Sequence, residues 1–139
     1  MNPLYLLLCF FLFSLSQEEP RILDDFKWKN RVVIYFPQSP QDWTVPNDSI
    51  SKEIEERKIK YFVIEDSVFS NTELLFTPEY IKKLKNRYAM GSKNSSWVLI
   101  GLDGGTKLRK EESIDWDFIF RTVDAMPMRQ SEIRRKGGE

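Results

Sequence analysis

Thiol and imidazole chemistry would have to come from very few residues. The 139-residue chain holds one cysteine, Cys9, and no histidine. Cys9 lies in the apolar run Leu4–Phe13, which is shorter than the roughly 20 residues a bilayer span needs. Ser14-Leu15-Ser16 follows, with small residues at the −3 and −1 positions of a signal peptidase site, and charge begins at Glu18. The expectation is a signal peptide over residues 1–16, cleaved after Ser16, although Met1-Asn2-Pro3 brings no basic residue. A short uncleaved anchor is the alternative. A lipid acceptor at Cys9 is disfavoured because Leu8 precedes it. Cleavage removes the only thiol.

Without thiol or imidazole, the ligands that zinc, copper and iron favour are missing. No metal and no cofactor are expected. A serine nucleophile such as Ser39 needs a base, and no histidine is there to serve. The carboxylate pairs Asp24–Asp25, Glu65–Asp66 and Asp115–Asp117 have no feature that sets them at a fixed separation across a cleft. Asp103, in Asp103-Gly104-Gly105, is short of the oxygens calcium takes and reads as a turn former. Catalytic residues are therefore expected to be none.

Binding residues are the next question. Asp124 and Arg129 flank Met126-Pro127-Met128. An arginine there can clasp a carboxylate, either on a partner or within the chain. One reading is a docking point. The other, which is favoured, is that the two charges fix a C-terminal turn while the methionines fill core. Trp97 and Trp116 fall in regular elements and are expected in the core. Trp43 falls in the polar, proline-containing stretch Pro37–Ser49 and is the expected exposed aromatic anchor. Asp103 and Lys107 complete the candidate binding set.

Composition narrows the partners. Lysine plus arginine equal aspartate plus glutamate at 21 each, so the positive excess that draws proteins to nucleic acid or anionic membranes is absent. Apolar residues at 41% suffice for a core. The expected partner is a protein or other extracellular or periplasmic ligand, with no stable membrane anchoring once the signal is gone. Asn47-Asp48-Ser49 and Asn94-Ser95-Ser96 match the N-glycosylation pattern, which matters only in a eukaryotic secretory host.

The elements that would position these residues follow from periodicity. Residues 17–30 are a lead-in, 31–130 the folded domain, and 131–139 a flexible basic tail. Arg31–Phe36 is apolar on both alternations, as a strand covered on both faces should be. A helix capped from Asn47-Asp48-Ser49 runs to about Lys58, with Ile50, Ile54 and the following Ile59 as its stripe. Lys60–Glu65 is a second strand and Ser67–Phe76 a loop. Thr77-Pro78-Glu79 opens another helix, which Gly91 ends. Trp97–Leu102, the Asp103-Gly104-Gly105 turn and Thr106–Arg109 form a hairpin, its returning strand basic on the wet face. Ser113 caps a last helix with Trp116, Ile119, Phe120 and Val123 inward, and Met126–Arg129 ends or bends it. This order of βαβ followed by ββα predicts a three-layer α/β fold of the thioredoxin-like type, a mixed sheet of about four strands with helices on both faces.

The stretch Val98–Arg109, followed at its distance by Val123-Asp124-Ala125-Met126-Pro127-Met128-Arg129, resembles the signature of a family of domains of unknown function also called P-DUDES. Phe26-Lys27-Trp28-Lys29-Asn30-Arg31 resembles the family's entry into its first strand. The likeness runs from about Leu23 to Ile133. It implies a thioredoxin-like fold related to peroxiredoxins, without an established activity. The family occurs as short secreted bacterial proteins, and as a module in animal sushi-repeat-containing proteins and a coiled-coil-containing extracellular matrix protein. Pro37–Ser49 matches no family motif.

Thioredoxin-type catalysis also needs a thiolate after the first core strand and a proline before the hairpin. Pro37–Trp43 and Ser95-Ser96 supply neither. The sequence therefore points to a secreted or periplasmic, non-catalytic binding module. The alternative is a redox-related or other enzyme that uses a non-thiol site or a partner's thiol.

Overall fold

The computed structural model describes residues 22–73 and 76–138. The expected signal segment and Cys9 lie outside the described residues. A 3-10 turn at Leu23–Phe26 leads into β1 (Arg31–Phe36), α1 (Asp48–Glu56) and β2 (Ile59–Ile64). A short β3 (Val68–Ser70) precedes α2 (Pro78–Leu84), which continues as a wider π turn over Lys85–Ala89. The hairpin β4 (Ser96–Ile100) and β5 (Thr106–Lys110) then leads to α3 (Trp116–Asp124) and α4 (Pro127–Gly137).

The strands form one mixed sheet in the order β3-β2-β1-β4-β5. β1 runs parallel to β2 and antiparallel to β4, so Val33 pairs with Tyr61 on one side and Leu99 on the other. The alternation of β1 sorts its side chains. Val33 and Tyr35 face a core closed by α1 and α3 through Ile54, Trp116, Ile119, Phe120 and Val123. Val32, Ile34 and Phe36 face a second core closed by Phe26, Phe76, Leu84 and Tyr88. Both faces are covered, which is why every residue of β1 is buried. The expected three-layer α/β architecture is found.

Three expectations need correction. The sheet has five strands rather than four, because Val68–Ser70 pairs antiparallel with β2. Three residues carry too little alternation to read as a strand. Their pairing is completed by the Asn71 side chain, which accepts from Tyr61 N at 2.9 Å and donates to Ile59 O at 3.0 Å. The α3 cap is Asp115, accepting from Phe118 N at 3.0 Å, rather than Ser113. The basic tail expected over 131–139 is helical as far as Gly137: Pro127 sits in the first turn of α4, which continues to that residue. Proline at that position needs no N–H and already has a helical φ, so the residue that stops α3 also starts α4.

The remaining helix signals hold. Asn47 caps α1 by accepting from Ile50 N at 2.9 Å, and Thr77 caps α2 by accepting from Tyr80 N at 3.2 Å. No helix among the described residues is long and apolar enough to cross a membrane.

Candidate functional site

Two places deserve comparison, one at each end of β1. After Phe36 the chain turns through Pro37–Trp43, and side chains close this turn. Ser95 Oγ accepts from Gln38 N at 2.9 Å and donates to Asp42 Oδ2 at 3.0 Å. The same carboxylate oxygen accepts from Ser39 N at 3.2 Å, and Tyr35 Oη donates to Asp42 O at 3.1 Å. Glu65 and Asp66 line a neighbouring cavity of about 430 Å³ together with Pro37, Pro40 and Lys85. Among the described residues no three metal-ligating side chains converge.

Trp43 is not the exposed anchor that its loop suggested. It is half-buried against the α1/α3 core. Its ring lies 5.7 Å from Tyr61, 6.0 Å from Tyr35 and 6.1 Å from Phe69. The unforeseen strand β3 supplies Phe69 and so builds the far wall of that aromatic nest. The exposed tryptophan is Trp28, 66% accessible. Its backbone holds φ +64°, and its N–H donates to Leu102 O at 2.7 Å. A bulky side chain rarely takes that backbone region.

At the head of β1 the chemistry is denser. Gly104 takes φ +79° in the β4–β5 turn, as the turn reading required. Asp103 Oδ1 accepts from Gly105 N at 3.0 Å and Oδ2 from Lys107 Nζ at 2.8 Å. These donors, Lys107 first, hold the exposed Asp103 carboxyl below its ordinary value. A Cβ at Gly101 would collide with the Lys107 stem, and one at Gly104 with the Lys27 stem. The glycines thus let two lysine stems lie flat over the turn. Arg109, expected on the wet face, instead donates to Tyr88 O at 2.7 Å and Ala89 O at 2.9 Å. It ties β5 to the end of the π turn.

Beside this turn lies a charge network that joins four elements. Asp124 accepts from Arg57 Nε at 3.0 Å and Nη2 at 2.8 Å, a two-point clasp, and from Arg129 Nε at 3.2 Å. Arg129 Nη1 donates to Glu56 O at 3.1 Å and Glu132 Oε2 at 3.2 Å. Glu132 Oε1 meets both terminal nitrogens of Arg31 at 3.3 Å, and Arg31 Nη1 also donates to Arg57 O at 2.9 Å. Glu53 completes the set through Arg57. Arg57 further stacks over Phe120, 4.6 Å from the ring centre. The pairing of Asp124 with Arg129 is therefore internal; of the methionines expected in the core, Met126 packs against it while Met128 is exposed. The sequence reading missed Arg31, Arg57 and Glu132. The available signal was Arg31 itself, a lone charge heading an apolar strand.

Burial alone would raise the Asp124 carboxyl, but the hydrogen bonds from Arg57 and then Arg129 outweigh it and leave the group below its ordinary value. A carboxylate held low when folded stabilises the fold above its unfolded value, about 3.9. That contribution is lost as pH falls through the lower folded value. Thermal midpoints are thus expected to stay level from neutrality to about pH 5 and to fall steeply below about pH 4. In Asp124→Asn the acid-side fall should shrink, together with a lower plateau; a scan of midpoint against pH for both proteins checks this.

A cavity of about 290 Å³ opens between the Asp103 turn and the start of α4, its walls including Arg31, Leu102, Asp103, Lys107, Met126 and Met128. Four of the five residues singled out from the sequence gather at this end. Asp103 and Lys107 line the cavity, and Asp124 and Arg129 connect to it through Glu132 and Arg31. Trp43 stands apart, beyond the other end of β1. A larger cavity of about 790 Å³ lies between the 3-10 turn, α2 and the Asp103 turn, with Lys27, Lys83 and Arg87 facing Asp24 and Asp103.

No curated protein and no solved structure matches the chain significantly. A family model does, over residues 22–132, from the 3-10 turn to the Glu132 that closes the charge network. The chain belongs to that family, described as a domain of unknown function, DUF4174.

Proposed function

We propose that this protein is a secreted or periplasmic binding module on a thioredoxin-like scaffold, and that it is not a thiol enzyme. The narrower kinship with the P-DUDES domains belongs to the same reading. The observation that supports it is the turn after β1. Where thioredoxin-type enzymes present a thiolate, Pro37–Trp43 offers none, and Ser95 and Asp42 tie the turn's backbone down. A nucleophile needs a partner base, and the Asp42 carboxylate beside Ser39 is occupied by the Ser39 N–H and the Ser95 hydroxyl. A scaffold can keep its fold and carry a different function.

The test is an assay of the purified protein for thiol–disulfide exchange and peroxide turnover. Turnover at the no-protein background supports a binding module; robust turnover overturns it in favour of an enzyme. N-terminal sequencing of the exported protein should begin at Gln17. A start at Met1 would overturn the cleaved-signal part of the reading.

A further inference from the structure

The 290 Å³ cavity has an unusual wall. Leu102, Met126, Pro127 and Met128 make most of it apolar, yet Arg31 also lines it. Arg31 is 1% accessible, and its Nε is buried with no hydrogen-bond partner among the described residues. Its terminal nitrogens are engaged by Glu132 and Arg57 O, whereas the Nε–H has no acceptor. A buried donor without an acceptor forfeits its hydration for nothing, and more so when the group is charged. Such an atom calls for a partner.

The same cavity receives the N-terminus of the eleven-residue α4. Met126, its cap residue, offers no side-chain acceptor, and the first turn has no acid. Pro127 has no N–H. The amides of Met128 and Arg129 donate to nothing among the described residues. The helix therefore brings unpaired donors and its positive end to this place. Lys107 adds an ammonium at the rim, where its stem lies over Gly101 and Asp103 holds its tip. The acids near the cavity are already engaged: Asp103 by Lys107 and Gly105 N, Glu132 by Arg31 and Arg129.

We propose that this cavity binds a small organic carboxylate with a compact apolar body. The carboxylate sits at the α4 N-terminus beside Arg31, and the body lies against Leu102, Met126 and Met128. The volume is near the lower end of small-molecule pockets, about 300–1,000 Å³, which limits the body to a few carbons or one side chain. That chemistry has two sources, a free acid or the C-terminal residue of another chain. The inference deepens the binding-module reading and rests on it. The two fail separately, since the enzyme assay reads turnover at the Pro37 turn and the following test reads binding at the other end of β1.

The test is an ¹⁵N NMR titration of the protein with 4-methylpentanoate and with N-acetyl-leucine, each against its uncharged amide. Saturable shifts of the Met128 and Arg129 amides and of the Arg31 Nε–H are expected with an acid. The matching amide should bind at least tenfold more weakly. Stronger binding of N-acetyl-leucine assigns the site to chain termini, and stronger binding of the free acid to small acids. Absence of saturable shifts with both acids, or equal shifts from the amides, overturns the proposal. Met128→Glu supplies a second arm. Met128 is exposed at the lip, and an acid in the first turn suits the helix. The expected result is at least a tenfold loss of acid binding with an unchanged or raised thermal midpoint. Retained affinity in that variant overturns the site. If it fails to fold, Lys107→Gln is read instead, with a weakening of threefold or more expected and unchanged affinity counting against the site.

Discussion

Replacing Arg129 with alanine is expected to cost about 3–5 kcal/mol of stability, the range for breaking a buried ion pair from one side. Arg129 is among the few charged residues that are buried. In the native network three arginines meet three carboxylates: Arg31, Arg57 and Arg129 with Glu53, Asp124 and Glu132. The alanine variant leaves an excess carboxylate in partly buried surroundings and strips the Glu56 carbonyl of a donor. It also opens a hole where the arginine stem lay. For a domain of this size the midpoint should fall by on the order of 10 °C or more. Arg129→Lys keeps the charge but not the fork that reaches Asp124, Glu56 O and Glu132 together, so its loss should be intermediate. Arg121→Ala, on the exposed side of α3, should change stability by less than about 0.5 kcal/mol. Thermal and urea unfolding of the three variants measure the series. A small loss in Arg129→Ala would return Arg129 to the docking reading.

Ending the chain after Gln130 should have an effect of similar size. If the last residues were a loose tail, the truncated protein would melt with the parent. Instead, truncation removes Glu132, among the described residues the one side-chain carboxylate hydrogen-bonded to Arg31. Arg31 is almost wholly buried, and burial already pulls its guanidinium below its ordinary value. Its remaining partner is the neutral Arg57 carbonyl. An uncompensated buried cation costs about 3–5 kcal/mol, and the loss of seven residues of α4 adds to it. Chemical denaturation of the truncated and parent proteins gives the difference. Glu132→Gln separates the two contributions, because it keeps the helix and a hydrogen-bonding side chain but removes the charge. A loss in Glu132→Gln of more than half that in the truncation locates the effect in the ion pair.

The parts of the fold that were legible are those written in local patterns. The β-branched run Val32-Val33-Ile34 announces a strand covered on both faces, and Thr77-Pro78-Glu79 announces the start of α2. Glycine at 104 marks a positive φ. What local pattern does not carry is who meets whom across the fold. Trp43 looked exposed because its own neighbours in sequence are polar; its cover, Phe69, comes from a strand of only three residues. Ser113 and Asp115 are both cap-type residues, and the helix starts one residue after Asp115, whose side chain takes the Phe118 N–H. Arg31 and Glu132 are separated by 101 positions, and no periodicity links them. Asp124 and Arg129 were visible because they sit within one turn of each other around a proline. Even there no local pattern hints that Arg57 clasps the same carboxylate.

The link between Arg31 and Glu132 also sets an order of events during synthesis. β1 is the central strand of the sheet, yet its first residue is neutralised by a side chain from the last helix. While the nascent chain is still short of that helix, an early, complete sheet would strand a guanidinium in its interior. The cheapest course is to leave the head of β1 open and hydrated until translation has released nearly the whole domain. Folding then becomes a late, concerted closure, in which the turns of α4 that carry Glu132 act as the fastener.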